Sequence, residues 1–322
     1  MPLVNWLSPA LAAVAFTASS GAPAGPTQEN EVVNEDPPTA EEIQLSRDRN
    51  SRYTLPVTIN GSGPYTFLVD TGAEATVLSR TLADTLDLGD RRPVTLVGMA
   101  SRRQTETVAI DALTFGTRTV HVRTAPLVDP EDLGFIHGVL GLDALQDQRV
   151  LLDFKRELIA VDDAAELGGN SGFEIVVRAR ERLGQLIIGS ARINGIRTAI
   201  IVDTGAQGSV GNAQLERMLS AETAGFQWTT DINGVVQPHP VKRVSSIQIG
   251  QMRLRNVYVA FSDAEPFKVL GLDNQPAMIL GLSELKRFDR VAIDFSSARI
   301  RFDLPRDTDF RTFYGGEMQI TE

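Results

Sequence analysis

Two segments of this chain are copies of one another. Phe67-Leu68-Val69-Asp70-Thr71-Gly72-Ala73 and Ile200-Ile201-Val202-Asp203-Thr204-Gly205-Ala206 each run apolar into a carboxylate and then into Thr-Gly-Ala, 133 residues apart. One Asp-Thr-Gly after a strand is a plain turn. Two copies, each with an apolar lead-in and an alanine after the glycine, constrain the chain to two related halves. The echo continues on both sides. Asn60-Gly61 precedes the first segment and Asn194-Gly195 the second. Val139-Leu140-Gly141-Leu142 and Ile279-Leu280-Gly281-Leu282 follow, their glycines 71 and 78 residues beyond the aspartates. After each comes a short stretch read as a polar helix. A matching strand then follows, Arg149-Val150-Leu151-Leu152-Asp153-Phe154 or Arg290-Val291-Ala292-Ile293-Asp294-Phe295. A further Val269-Leu270-Gly271-Leu272 comes too early and lacks the Asp-Phe strand, so it reads as a decoy.

Between these anchors the signals are those of short strands. Leu55 to Ile59 alternates, Asn60-Gly61 is a hairpin turn, and Tyr65 to Val69 runs apolar into the first aspartate. Helical periodicity is confined to Ser79–Leu88, Asp143–Gln148 and Ala213–Ser220. The expected fold is mainly β and bilobed, with two pseudo-twofold-related, β-barrel-like lobes and few short helices. The lobes are 51–163 and 172–305, joined by a linker at 164–171 and followed by a C-terminal tail at 306–322. Residues 25–50, rich in Pro, Gly, Glu, Asp and Asn, read as a disordered linker. Residues 1–24 hold the apolar stretch Leu11 to Phe16 and then small residues, the shape of a signal peptide. Export to a periplasmic or secreted location is therefore expected. The stretch is too short, and too interrupted at Pro9, for a membrane span.

The 322 residues carry a net charge of −10, with a pI near 5.0, which argues against nucleic acid and against anionic membrane surfaces as partners. With no cysteine, thiolate metal sites, disulfides and cysteine nucleophiles are excluded. His121, His137 and His239 are isolated and read as solvated or satisfied side chains. Neither a metal nor a cofactor is expected.

The remaining chemistry lies in the two aspartates. The apolar run anchors each strand inside its lobe, and Gly72 and Gly205 permit a tight turn that a side chain would block. Thr71 and Thr204 are placed to hydrogen-bond across the pseudo-axis to the opposite backbone. Gly141 and Gly281 are expected where a strand passes directly beneath each aspartate loop. Two carboxylates presented this way stand about 3 Å apart and cannot both ionise. The pair then shares one proton. The ionised member takes a proton from water, the protonated one donates to a carbonyl, and a tetrahedral gem-diol follows.

Asp70-Thr71-Gly72-Ala73-Glu74-Ala75-Thr76-Val77-Leu78 and Asp203-Thr204-Gly205-Ala206-Gln207-Gly208-Ser209-Val210 resemble the active-site loops of retropepsin-like aspartic proteases. The chain is similar to bacterial relatives of the retroviral and pepsin families that carry both lobes in one polypeptide. The resemblance covers roughly residues 51 to 305. It implies an endopeptidase acting through Asp70 and Asp203, a cleft that takes an extended protein or peptide substrate, and a site complete in a monomer. It also implies flaps over the cleft, whose tips fall at Val97-Gly98-Met99-Ala100 and Ile232-Asn233-Gly234-Val235. In that reading Gly98, Met99, Ala100 and Gly234 contact substrate. Two departures stand out. No tyrosine falls in either flap, and Ala73 and Ala206 stand where pepsin-like loops often carry a hydroxyl. Without that donor the dyad is less acidic, so activity is expected at mildly acidic to neutral pH.

Two other readings are compatible with the residues alone. One is a non-catalytic two-lobed peptide-binding protein that retains the loops. The other is an actin-like ATPase or kinase, which needs long helices around a nucleotide cleft. Elsewhere, Arg102-Arg103 reads as a solvated charged turn, Phe226 and Trp228 as core or lobe-interface packing, and Asp153 and Asp294 as structural.

Overall fold

Asn60 and Gly61 take φ of +49° and +80°, and Asn194 and Gly195 take +48° and +84°, the left-handed pair that a two-residue hairpin turn requires. These turns join the strand Tyr53–Ile59 to Ser62–Val69, and Gln185–Ile193 to Ile196–Val202. The end of each second strand is buried on both faces, at Phe67, Leu68 and Val69 and at Ile200, Ile201 and Val202. Its uninterrupted apolar run suits a strand flanked by parallel neighbours. Gly138–Leu140 pairs in parallel with Phe67–Val69, and Ala277–Leu280 with Ala199–Val202. A computed structural model describes residues 13–14, 42–47, 52–146, 148–162, 167, 173–305 and 318–320.

Both lobes close on themselves in the same strand order. In the first, Tyr53–Ile59, Ser62–Val69, Gly138–Leu140, Val77–Ser79, Arg118–Val128 and Arg102–Phe115 follow one another, and Thr58 pairing with Thr114 closes the ring. In the second, Gln185–Ile193, Ile196–Val202, Ala277–Leu280, Val210–Gly211, Met252–Phe261 and Val236–Ile249 do the same, closed by Ile193 against Ile247. The fold is thus mainly β with two barrel-like lobes. The helices among the described residues span only four to six residues, so there is no layer of long helices for an actin-like nucleotide cleft.

A third, six-stranded sheet joins the lobes, in the order Ile175–Arg178, Arg299–Asp303, Arg290–Asp294, Arg149–Asp153, Leu158–Asp162 and Glu42–Gln44. At its centre the two Asp-Phe strands lie antiparallel, with Leu151 opposite Ala292. One continuous apolar core runs from the first lobe through this sheet into the second.

Several expectations are corrected. Residues 42–47 are not a disordered linker: Glu42–Gln44 extends the interlobe sheet, Ser46–Arg47 pairs with Tyr53 and Thr54, and Leu45 is buried in the core. An edge strand needs only backbone partners and one apolar anchor, which a segment without apolar periodicity still supplies. Of the segment read as a signal peptide only Ala13–Val14 is described, paired with Leu96 and Val97. The rest lies outside the described residues, as does the linker 164–171 except for Leu167. In the tail, Met318–Ile320 pairs with Met252 to Leu254. The helices after the two glycine loops, Leu142–Leu145 and Leu282–Leu285, are not polar but bury Leu142, Ala144 and Leu145, and Leu282, Glu284 and Leu285. Observed helices Arg80–Thr85 and Ala213–Met218 are shorter than their periodicity suggested. The decoy Gly271 ends the helix Glu265–Val269 with φ +57°, a left-handed cap rather than a strand.

Candidate functional site

Each aspartate sits where its strand ends beside the parallel glycine-loop strand. The Asp70 N–H donates to the Leu140 carbonyl at 3.1 Å, and the Asp203 N–H to that of Leu280 at 3.0 Å. The following turn folds back onto the carboxylate. Asp70 Oδ1 accepts from the Gly72 and Ala73 N–H groups at 2.8 and 2.9 Å, and Asp203 Oδ1 from Gly205 and Ala206 at 2.8 and 3.1 Å. The two loops are therefore alike atom for atom. Both carboxyls are buried and close enough for each to shift the other's titration.

Burial pushes both carboxyls above the usual carboxylate range. For Asp203 the neighbouring Asp70 charge and hydrogen bond add to the rise, which carries it well above. For Asp70 the hydrogen bond from Asp203, the two N–H groups and the Arg52 charge hold the rise back. Two such close, buried carboxyls titrate as a pair, and a single proton on the pair satisfies both.

Cross-lobe bonds clamp the loops together. Thr71 N–H donates to Thr204 Oγ1 at 3.0 Å and Thr204 N–H to Thr71 Oγ1 at 3.2 Å. Each hydroxyl then donates onward, Thr71 to the Val202 carbonyl at 3.2 Å and Thr204 to that of Val69 at 2.8 Å. Gly205 packs so closely on Asp70 that a Cβ there would overlap the carboxylate. Gly141 and Gly281 follow directly on the strands Gly138–Leu140 and Ala277–Leu280, which run beside the aspartate strands and approach the aspartate loops closely, as expected. They cap the short helices, and their neighbours are the aspartate loops themselves. A Cβ on Gly141 would stand 2.5 Å from the Ala75 carbonyl oxygen, and one on Gly281 2.5 Å from that of Gly208. Gly141→Ala is expected to destabilise the chain by about 1–3 kcal/mol in urea denaturation, since backbone must move to admit the methyl. No measurable change would mean the loop yields freely.

Behind each loop lies a second pair of polar side chains absent from the sequence expectations. Thr76 donates through N and Oγ1 to Asp143 Oδ1 at 2.8 and 2.7 Å, and Ser209 donates to Glu284 Oε2. Burial raises both of these carboxyls. Their place two residues beyond Gly141 and three beyond Gly281 was the available signal, blurred by that one-residue offset between the lobes.

The two expected flap tips are the ends of real hairpins, Arg92–Val97 with Arg102–Phe115, and Thr223–Thr230 with Val236–Ile249. They meet each other. Asp231 Oδ2 accepts from Ala100 N at 3.2 Å and Ser101 Oγ at 2.6 Å, while its Oδ1 accepts from Asn233 and Val235 N at 3.0 and 2.9 Å. Met99 is buried in a cluster of the second lobe that contains Ala206, and Ile232 in a cluster of the first that contains Ala73. Gly98 abuts Asp231, and Gly234 abuts Asp132. Each tip thus crosses to the lobe opposite its own. Arg102 and Arg103 are ion-paired rather than simply solvated, Arg102 to Glu265 of the other lobe at 2.7 Å and Arg103 to Asp132 at 2.9 Å. Phe226 and Trp228 are not in the core: they stand 69% and 50% exposed on the outer face of the second hairpin. Strand alternation puts them there, because the intervening Gln227 faces the opposite way.

The arrangement can hold one proton between two rigid carboxyls beneath a two-sided cover, which is the equipment for activating water against a carbonyl. The sequence model of one protein family, described as aspartyl protease, matches residues 55–144 and 189–283, more than half of the chain. The two matched stretches contain Asp70 and Asp203 respectively. No curated protein matches the chain.

Proposed function

This chain belongs to the aspartyl protease family, and from that premise we propose that it is an endopeptidase whose nucleophile is a water activated between Asp70 and Asp203. The observation that carries the reading is the pair of buried carboxyls, one from each lobe, each held by the same two turn N–H groups. In the first step Asp70 takes a proton from water as its oxygen attacks the peptide carbonyl carbon. Asp203 gives its proton to the carbonyl oxygen, and a neutral gem-diol forms. In the second step Asp70 returns its proton to the departing nitrogen. Asp203 regains one from a gem-diol hydroxyl as the C–N bond breaks. Neither an acyl-enzyme nor a second subunit enters the cycle. No helix among the described residues is long and apolar enough to cross a membrane.

The pH dependence tests this reading. Activity needs one proton on the pair, so kcat/KM is expected to fall on the acid side as Asp70 becomes protonated and on the basic side as Asp203 ionises. Both carboxyls are raised by burial, and the loops supply only backbone donors. The single-proton window therefore lies above the ordinary Asp value of about 3.9. A bell with its maximum at mildly acidic to neutral pH is the expected profile on any cleaved peptide. A maximum near pH 2 would sink the assignment.

A further inference from the structure

Glu284 is a buried acid that the reaction above does not use. It is 3% exposed and sits on the short helix Leu282–Leu285 that begins at Gly281. Its Oε2 accepts from two hydroxyls, Ser209 Oγ and, at 2.8 Å, Ser283 Oγ. Ser209 Oγ in turn accepts from the Gly281 N–H at 3.2 Å. That N–H shares its peptide unit with the Leu280 carbonyl, which receives the Asp203 N–H at 3.0 Å. A continuous chain of hydrogen bonds therefore runs from Glu284 to the backbone of Asp203. Bonds in such a chain polarise and strengthen one another.

The same helix grips the loop after Asp203 from outside. Leu282 N–H donates to the Ala206 carbonyl at 2.8 Å, and Ser283 N–H to that of Gln207 at 2.9 Å. A Cβ on Gly281 would stand 2.5 Å from the Gly208 carbonyl oxygen and 2.8 Å from that of Ala206, so loop and helix move as one. On its inner side this loop carries the Gly205 and Ala206 N–H groups that bind Asp203 Oδ1. Glu284 ties its far end, at Ser209, to the helix that already holds its middle. We propose that Glu284 is a positioning residue for Asp203, fixing the 205–209 loop through Ser209 so that both turn N–H groups stay on the carboxylate. Its part in hydrolysis rests on the peptidase reading above. A displacement of about 1 Å at a reacting group can cost about 10²-fold in rate, so a partial loosening is worth about tenfold. The turn N–H groups also hold the Asp203 carboxyl down against its burial. Loosening them lets it rise further.

Three variants test the chain. Glu284→Ala and Ser209→Ala are each expected to lower kcat by about tenfold while KM stays within about twofold, and the double variant to fall no further. Glu284→Gln keeps an oxygen that accepts both hydroxyls, and it is expected to bring kcat back to within about threefold of wild type. Should Glu284→Ala fail to fold, Ser209→Ala against Glu284→Gln carries the same comparison. A loss in Glu284→Gln as deep as in the alanine variants overturns the hydrogen-bond route, and wild-type kcat in both alanine variants overturns the role. A second readout needs no cleavage. Carbon-13 NMR of aspartate-labelled protein follows the titration of the Asp203 carboxyl, identified by its loss in Asp203→Asn. That titration is expected to move upward in both alanine variants and to hold in Glu284→Gln; an unmoved titration in both alanine variants also overturns the proposal. If wild type cleaves no peptide but the titration moves, Glu284 still positions Asp203 and the peptidase reading alone falls. Cleavage at one rate by all forms does the reverse.

Discussion

Asp70→Asn and Asp203→Asn are each expected to lower kcat for peptide hydrolysis by about 10³-fold or more, roughly 4 kcal/mol of transition-state stabilisation, without unfolding the chain. The first removes the base that takes the proton from water. The second removes the acid that protonates the carbonyl oxygen. The fold survives because the amide oxygen of either variant still accepts the two turn N–H groups that hold the wild-type Oδ1. It also survives because each substitution removes one of two carboxyls whose burial is costly through desolvation. Melting temperature is accordingly expected to hold or rise. The measurement is a peptide-library digest followed by mass spectrometry, with circular dichroism melts of the same samples. A non-catalytic peptide-binding protein would cut nothing in any form yet bind peptide in all three. Identical cleavage patterns from wild type and both variants would refute the dyad.

What the sequence exposed was whatever is written locally and written twice. The aspartate loops, the Asn-Gly turns and Gly141 and Gly281 each depend on residues within a few positions, and the second copy removed the ambiguity of the first. The threonine bonds across the axis followed because Thr71 and Thr204 each stand one residue beyond the carboxylates that the two copies bring together. Features that depend on distant partners were not visible. Asp231 is one acidic residue among many until the hairpin ends meet and Ser101 and Ala100 arrive at its oxygens. Arg102 and Arg103 look like a solvated turn because their partners, Glu265 and Asp132, lie far along the chain. The strands at 42–47 carry no apolar period, since their pairing is backbone to backbone. Gln185, whose Nε2 donates across the lobes to the Gly72 carbonyl, had one usable signal: it precedes Asp203 by the same interval at which Arg52 precedes Asp70.

The largest stability effect is expected far from the chemistry, at Asp294→Ala in the interlobe sheet. Asp294 is 1% exposed, and its Oδ2 accepts from Arg149 at 2.9 Å and Arg301 at 3.0 Å, both arginines being equally buried. Its Oδ1 accepts from Ser296 Oγ and Ser297 N–H, each at 2.9 Å. Burial alone would raise this carboxyl, but the Arg149 bond and the serine donors outweigh it and hold it far below the usual range. Alanine there would remove the carboxylate that the two buried guanidinium groups share. Removing one member of such a cluster costs about 3–5 kcal/mol. Asp153, its repeat counterpart, accepts from the Arg156 N–H at 2.8 Å and is 9% exposed, so Asp153→Ala is expected to cost only about 1 kcal/mol. Asp294 also carries a pH dependence. A carboxyl depressed on folding contributes stability above its unfolded value, about 3.9, and that stability is lost as pH falls through the folded value. Asp294→Ala should therefore flatten the acid limb of the wild-type stability curve. Urea denaturation between pH 7 and pH 2 reads both effects, and a loss under about 1 kcal/mol at Asp294 would mean that the arginines find solvent or other anions when it is gone. Because this cluster bridges Arg149 of one lobe and Arg301 of the other, its failure loosens the sheet that keeps the Asp70 and Asp203 loops in register. Activity should then decline before the far-ultraviolet signal of either barrel is lost.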